Sequence, residues 1–156
     1  MLGKLDAVLR SLGLKKHPPI TTTRELVDFV EKQSAYVSQV TLYTYVKARS
    51  GTQHVKLFEN EIFLTSLKVA RWHIFGAAVS DLSLFAAAQM FMSRTLSDEE
   101  TNLMAKHLMT EILNDYDQQD IEKSEFEHML ARGHQRVGIA DWAFIATGPA
   151  AFQASS

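Results

Sequence analysis

The sequence predicts an all-α protein, an irregular helical bundle around one long central apolar helix over about residues 59–93. Three observations predict it. Phe63, Leu67, Ala70, Ile74, Ala77, Asp81, Leu84, Ala88 and Phe91 recur at alternating steps of four and three, a continuous seam of about eight helical turns. Thr22 with Glu25, and Ser97 with Glu100, have the spacing of capping boxes, which satisfy free amides at helix starts, and each stands just before a periodic apolar run. At 156 residues, 46% hydrophobic and 22% charged, the chain has the composition of one globular domain. A chain of this length buries about 70% of its unfolded surface, so neither a metal nor a disulfide is needed to hold it together.

Residues 1–17 come first. Leu2, Leu5, Val8, Leu9 and Leu12 lie at helical spacing beside Lys4, Asp6 and Arg10, which predicts a short amphipathic N-terminal helix stopped by His17, Pro18 and Pro19. It lacks the long apolar stretch and small-residue cleavage site of a secretory signal. Its leucines and its basic residues suit weak contact with a membrane surface, or docking on the rest of the domain.

A single helical domain is expected over 20–147. Its first helix should run from about 23 to about 48, with Val30, Val37, Val40 and Tyr43 or Thr44 as the inward stripe. Residues 36–58 also admit a hairpin, because YVSQVTLYTYV is rich in β-branched and aromatic residues and Ser50-Gly51 can turn it. The central helix follows. Beside its seam run Ser66, His73, Gly76, Ser80, Ser83 and Ala87, mostly small side chains that let a neighbour approach, and Gly76 offers a place to bend. Ser97 then opens a helix bearing Met104, Leu108 and Ile112. Phe126, Met129 and Leu130 indicate another that ends near Gly133, and Trp142 and Ile145 a short last one. Residues 148–156 read as a flexible tail.

Residues 74–92 carry Asp81 as their one formal charge and are long enough to span a bilayer. A carboxylate near the bilayer centre costs roughly 2.5–3.5 kcal/mol, which alanines do not offset, so a helix buried among its neighbours is the expectation. The chain has no cysteine. That excludes disulfide scaffolds, thiolate metal sites and cysteine nucleophiles, and it points to a reducing, cytoplasmic location. Residues 1–78 carry 11 Lys+Arg against 6 Asp+Glu, and residues 79–156 carry 5 against 12. The basic residues are scattered and not interleaved with aromatics, so nucleic acid is not an expected partner.

Asp81 interrupts the apolar seam and needs a donor from another element. Arg49, His107 and the hydroxyls of Tyr36, Tyr43 and Tyr45 are the candidates, with a register-fixing pin as the expected role. Asp81, His73 and His107 are thus the buried polar candidates. Glu125 and His128 have the E-x-x-H spacing that presents two metal ligands on one helix face, but a second such pair is absent. Asp115, Asp117 and Asp120 fail as a calcium loop, because its glycine position holds Asp120 and its twelfth position Phe126. There is no G-x-S-x-G, Walker or G-x-G-x-x-G motif. Met90, Met92, Met104 and Met109 could line an adaptable pocket.

The functional expectation is a non-enzymatic helical adaptor, assembly factor or regulatory protein, possessing no cofactor and acting on a protein partner or a second copy of itself, in the cytoplasm or peripheral to a membrane. Leu2, Leu5, Leu9, Tyr43, Tyr45 and Trp142, with Phe144, are the interaction candidates. The alternatives are a metal- or cofactor-dependent helical enzyme using Glu125, His128 and Asp81, and a small-molecule binder.

Overall fold

A computed structural model describes residues 19–51, 56, 58–116 and 121–153, which hold five helices and no strand. The helix expected over 1–17, with Leu2, Leu5 and Leu9, lies outside the described residues.

Helix α1 (Thr23–Ser50) opens on the capping box read from the sequence: Glu25 N–H donates to Thr22 Oγ1 at 3.1 Å and Thr22 N–H to Glu25 Oε2 at 3.2 Å. It runs unbroken through the β-branched stretch, so residues 36–50 are helical and not a hairpin strand. Gly51, at φ 53°, caps the helix by donating its N–H to Lys47 O. A positive φ of this kind is cheap only for glycine.

Helix α2 (Glu61–Met92) is the predicted central rod, capped by Asn60, whose Oδ1 accepts from the amides of Ile62 and Phe63. It contacts every other helix. The seam holds over its second half, where Asp81, Leu84 and Ala88 are buried, but not over its first. There Phe63, Leu67, Ala70, Ile74 and Ala77 are only half-buried, and the core is reached by Trp72, Phe75 and Val79. No residue of α2 before Trp72 is buried. Among the described residues this is the one helix long and apolar enough to cross a membrane by length and composition, and half of its apolar window is buried inside the protein.

The reversal after α2 is tight. Arg94 takes φ 58°, with Thr95 N–H donating to Met90 O and Arg94 N–H to Phe91 O, the double closure of a Schellman end. Helix α3 (Asp98–Asn114) starts on its own capping box, Ser97 with Glu100.

Helix α4 (Lys123–Gly138) continues past the predicted stop at Gly133. That glycine is a contact and not a cap: a Cβ there would press on Met109 Sδ, and one on Gly76 would overlap the Met129 sulfur. Gly76 serves close approach within an unbroken α2. The short α5 (Trp142–Ile145) is capped by Asp141.

Two clusters flank α2. Trp72, Phe75 and Val79 meet Leu26, Val27 and Val30 of α1, Leu108 and Ile112 of α3, and Phe126 and Met129 of α4. Leu84, Ala87 and Ala88 meet Ala105, Met109, Val137, Trp142, Ile145 and Ala151. Each large buried side chain contributes about 1.5–3 kcal/mol. The tail, expected to fray, is docked through residue 153: Ala151 is fully buried and the ring of Phe152 lies 5.4 Å from that of Phe85. Its apolar side chains find the open flank of α2, a partner that sequence periodicity does not reveal.

Candidate functional site

Asp81 is fully buried, as its place in the seam required. A donor outside the residues expected faces it. Arg136 of α4 brings Nη1 to 2.6 Å from Asp81 Oδ1 and 2.9 Å from Ser80 Oγ, while Nη2 donates to Ala151 O at 2.9 Å. One guanidinium thereby ties α2, α4 and the docked tail together. A helix end at Gly133 would leave Arg136 outside the helix; in a helix continuing to Gly138, Arg136 lies three residues beyond Gly133, toward the buried acid.

Glu125 and His128 do share one face of α4, and His73 of α2 joins them, its Nε2 3.5 Å from Glu125 Oε2. These side chains border an open cleft of about 500 Å³ with Arg132 and Gln135. His73 is therefore not a buried polar group. The two side chains are 43% and 48% exposed, and a surface contact of this kind is worth at most about 1 kcal/mol. Among the described residues no group of three or more His, Asp or Glu gathers closely enough to hold a metal. His107, the third expected buried group, is exposed on α3. The half-buried histidine is instead His134, whose Nε2 lies 3.3 Å from Thr110 Oγ1; burial, helped by nearby Lys106, holds its pKa below the usual histidine value.

Nearly two turns before Asp81 along the rod, Tyr116 donates its hydroxyl to Glu31 Oε1 at 3.1 Å and packs on Phe75, ring centres 4.6 Å apart. Burial, then the hydrogen bond to Glu31, pushes the phenol up. Trp72 completes the knot, edge-on to Phe75, Tyr116 and Phe126. Next to it opens an apolar cleft of about 320 Å³ between α1 and α2, lined by Leu42, Tyr43, Val46, Phe58 and Leu67. The methionines do not gather into a pocket: Met109 is core, Met90 and Met104 pack against the core, and Met92 is exposed.

Of the interaction candidates, Trp142 is buried, its Nε1–H donating to Asn102 Oδ1 at 3.0 Å. It is a core anchor. Tyr43, Tyr45 and Phe144 are exposed, as expected. The inward stripe read for α1 was only partly right, since Val30 is buried but Val40 and Tyr43 face solvent. The core-facing positions at mid-helix are Ser34 and Ser38, both buried, with Ser38 Oγ–H donating to Ser34 O at 2.7 Å. Serines there are small enough to let α2 approach closely. Phe29, Tyr36, Val40 and Tyr43 are left on its outer side.

Phe29, Tyr36, Val40 and Tyr43 are 42%, 64%, 47% and 67% exposed. Their spacing of seven, four and three places them on one face of α1, along about 21 Å of helix. No protein family, curated protein or solved structure matches this chain.

Proposed function

We propose that this protein is a non-enzymatic helical adaptor or assembly factor that binds a protein partner through the outward face of α1. The observation that carries this reading is the row of exposed apolar side chains Phe29, Tyr36, Val40 and Tyr43 on one face of the helix. From their exposures the four side chains offer about 400–500 Å² of largely apolar surface, taking 150–250 Å² for a whole aromatic side chain. That equals the largest patches of ordinary monomers, which are often functional. Tyrosine and phenylalanine are also the residues that interfaces favour, since they bring a large area with few torsions to freeze. By contrast Leu103 is the one exposed large apolar side chain on α3 and belongs to no such row. The absence of cysteine supports a reducing, cytoplasmic setting.

Photocrosslinking in cells tests the proposal. A photoreactive amino acid placed at Tyr36 or at Tyr43 should give the same discrete crosslinked product, and one placed at Leu103 should not. Tyr36→Glu with Tyr43→Glu should abolish partner binding while changing stability by no more than about 0.5 kcal/mol, as for other surface substitutions. Products that are equal at Leu103, or binding that survives both glutamates, would refute it.

A further inference from the structure

Resting on this reading of the α1 face, we infer that its occupant is a second copy of the same chain, with the two α1 helices packed antiparallel about a twofold axis at Tyr36. Three of its four members are symmetric about that residue; Val40, four residues after it, has Lys32 as its counterpart four before. Phe29 lies seven residues before it and Tyr43 seven after; Glu25 lies eleven before and Lys47 eleven after. Offsets of seven and eleven both return a helix to the same face. A twofold axis at Tyr36 therefore sets Phe29 of each copy against Tyr43 of the other, and Tyr36 against its own symmetry mate. An isologous contact of this kind closes on itself, as in most soluble dimers.

Charge selects the direction. The first turn of α1 carries Glu25 and its last turn carries Lys47. Antiparallel packing brings Glu25 of each copy to Lys47 of the other, whereas parallel packing would set like charges together. Opposed helix dipoles favour the same direction. Doubling the stripe gives about 800–1,000 Å² of buried apolar surface before the stems of Glu25 and Lys47 are added. That is below the size of stable specific interfaces and in the range of weak, transient ones, so the dimer should dissociate in the micromolar range or above.

The chain contains no cysteine, so single cysteines report geometry directly. Sedimentation of the full-length protein from about 1 to 200 μM should show a monomer–dimer equilibrium across that micromolar range. Tyr36→Glu should weaken it at least ten-fold and Lys47→Glu about three-fold. Under mild oxidation Tyr36→Cys should form a disulfide-linked dimer, while Tyr45→Cys, exposed but off the stripe, should not. Phe29→Cys should crosslink to Tyr43→Cys when the two are mixed, but not to itself.

A Tyr36→Cys protein that stays monomeric, or Phe29→Cys that crosslinks to itself, overturns the inference. So does a dimer that forms only after residues 1–18 are removed, which would make that segment the occupant. If self-association fails while the photoreactive residue at Tyr36 still captures a different protein, the inference falls and the adaptor reading stands; if both fail, both fall.

Discussion

Replacing Arg136 by methionine removes the guanidinium that binds Asp81, Ser80 and Ala151, but leaves the aliphatic stem to fill the same space. Asp81 remains with 0% exposure, so its carboxylate loses this charged donor while still buried. Breaking one side of a buried pair costs about 3–5 kcal/mol. The Arg136 side chain is 24% exposed, which lets water replace part of the lost interaction and favours the lower figure. With a urea slope of about 2 kcal/mol per molar, 3 kcal/mol moves the unfolding midpoint down by about 1.5 M. Since small domains are stable by about 5–15 kcal/mol, the variant should still fold. Asp81→Leu combined with Arg136→Met removes both charges and should recover most of the loss, to within about 1 kcal/mol of the parent protein. Urea unfolding followed by circular dichroism, on both single variants and the double variant, measures the coupling. A cost below about 1 kcal/mol for Arg136→Met, or a double variant as unstable as the sum of the singles, would refute the assignment of Arg136 as the partner that makes Asp81 tolerable.

Glycine substitutions should separate contact from conformation: Gly138→Ala, which meets nothing within 4 Å, should stabilise by about 0.5–1 kcal/mol, whereas Gly76→Ala should cost about 1–3 kcal/mol because its methyl overlaps the Met129 sulfur. Calorimetry that finds the two equal would refute that distinction. Acidification should lower stability in two stages. His134 has a folded pKa below its ordinary 6.5, so the neutral form is the stabilised one; its contribution is complete above that value and is lost as pH falls below it. Glu25 and Glu100 are held below the ordinary 4.5 chiefly by the backbone amides of Thr21 and Ser97, so their contribution is present above 4.5 and is lost as pH falls further. Thermal melts of His134→Gln should show a flatter upper stage with the lower one unchanged; an unaltered slope between about pH 7 and 5.5 would exclude His134 as its source.

Local chemistry wrote much of this fold into the chain. Thr22 with Glu25 and Ser97 with Glu100 reach only three residues, so their capping role is visible without neighbours, and both helices start where they mark. The apolar run around Asp81 likewise foretold a helix buried around a sequestered acid, because its alanines, leucines and phenylalanines recur at helical spacing on both sides of Asp81.

What lay beyond the sequence was every choice among spatial neighbours. Arg136, which binds Asp81, is 55 residues distant from it, and Gly133 looked like a stop until Met109 occupied the space its missing Cβ leaves. Trp142 could have faced either way; Asn102 and the flank of α2 settled it inward. The face of α1 was decided in the same manner. Its apolar residues occur on both sides, and periodicity cannot say which side another helix will cover. Close approach of α2 to Ser34 and Ser38 covered the serine side and left Phe29, Tyr36, Val40 and Tyr43 in the open. Helix formation follows from forces that act over one turn of chain, whereas burial follows from which surfaces meet. In this protein only tertiary packing determined the latter, and with it the surface available for function.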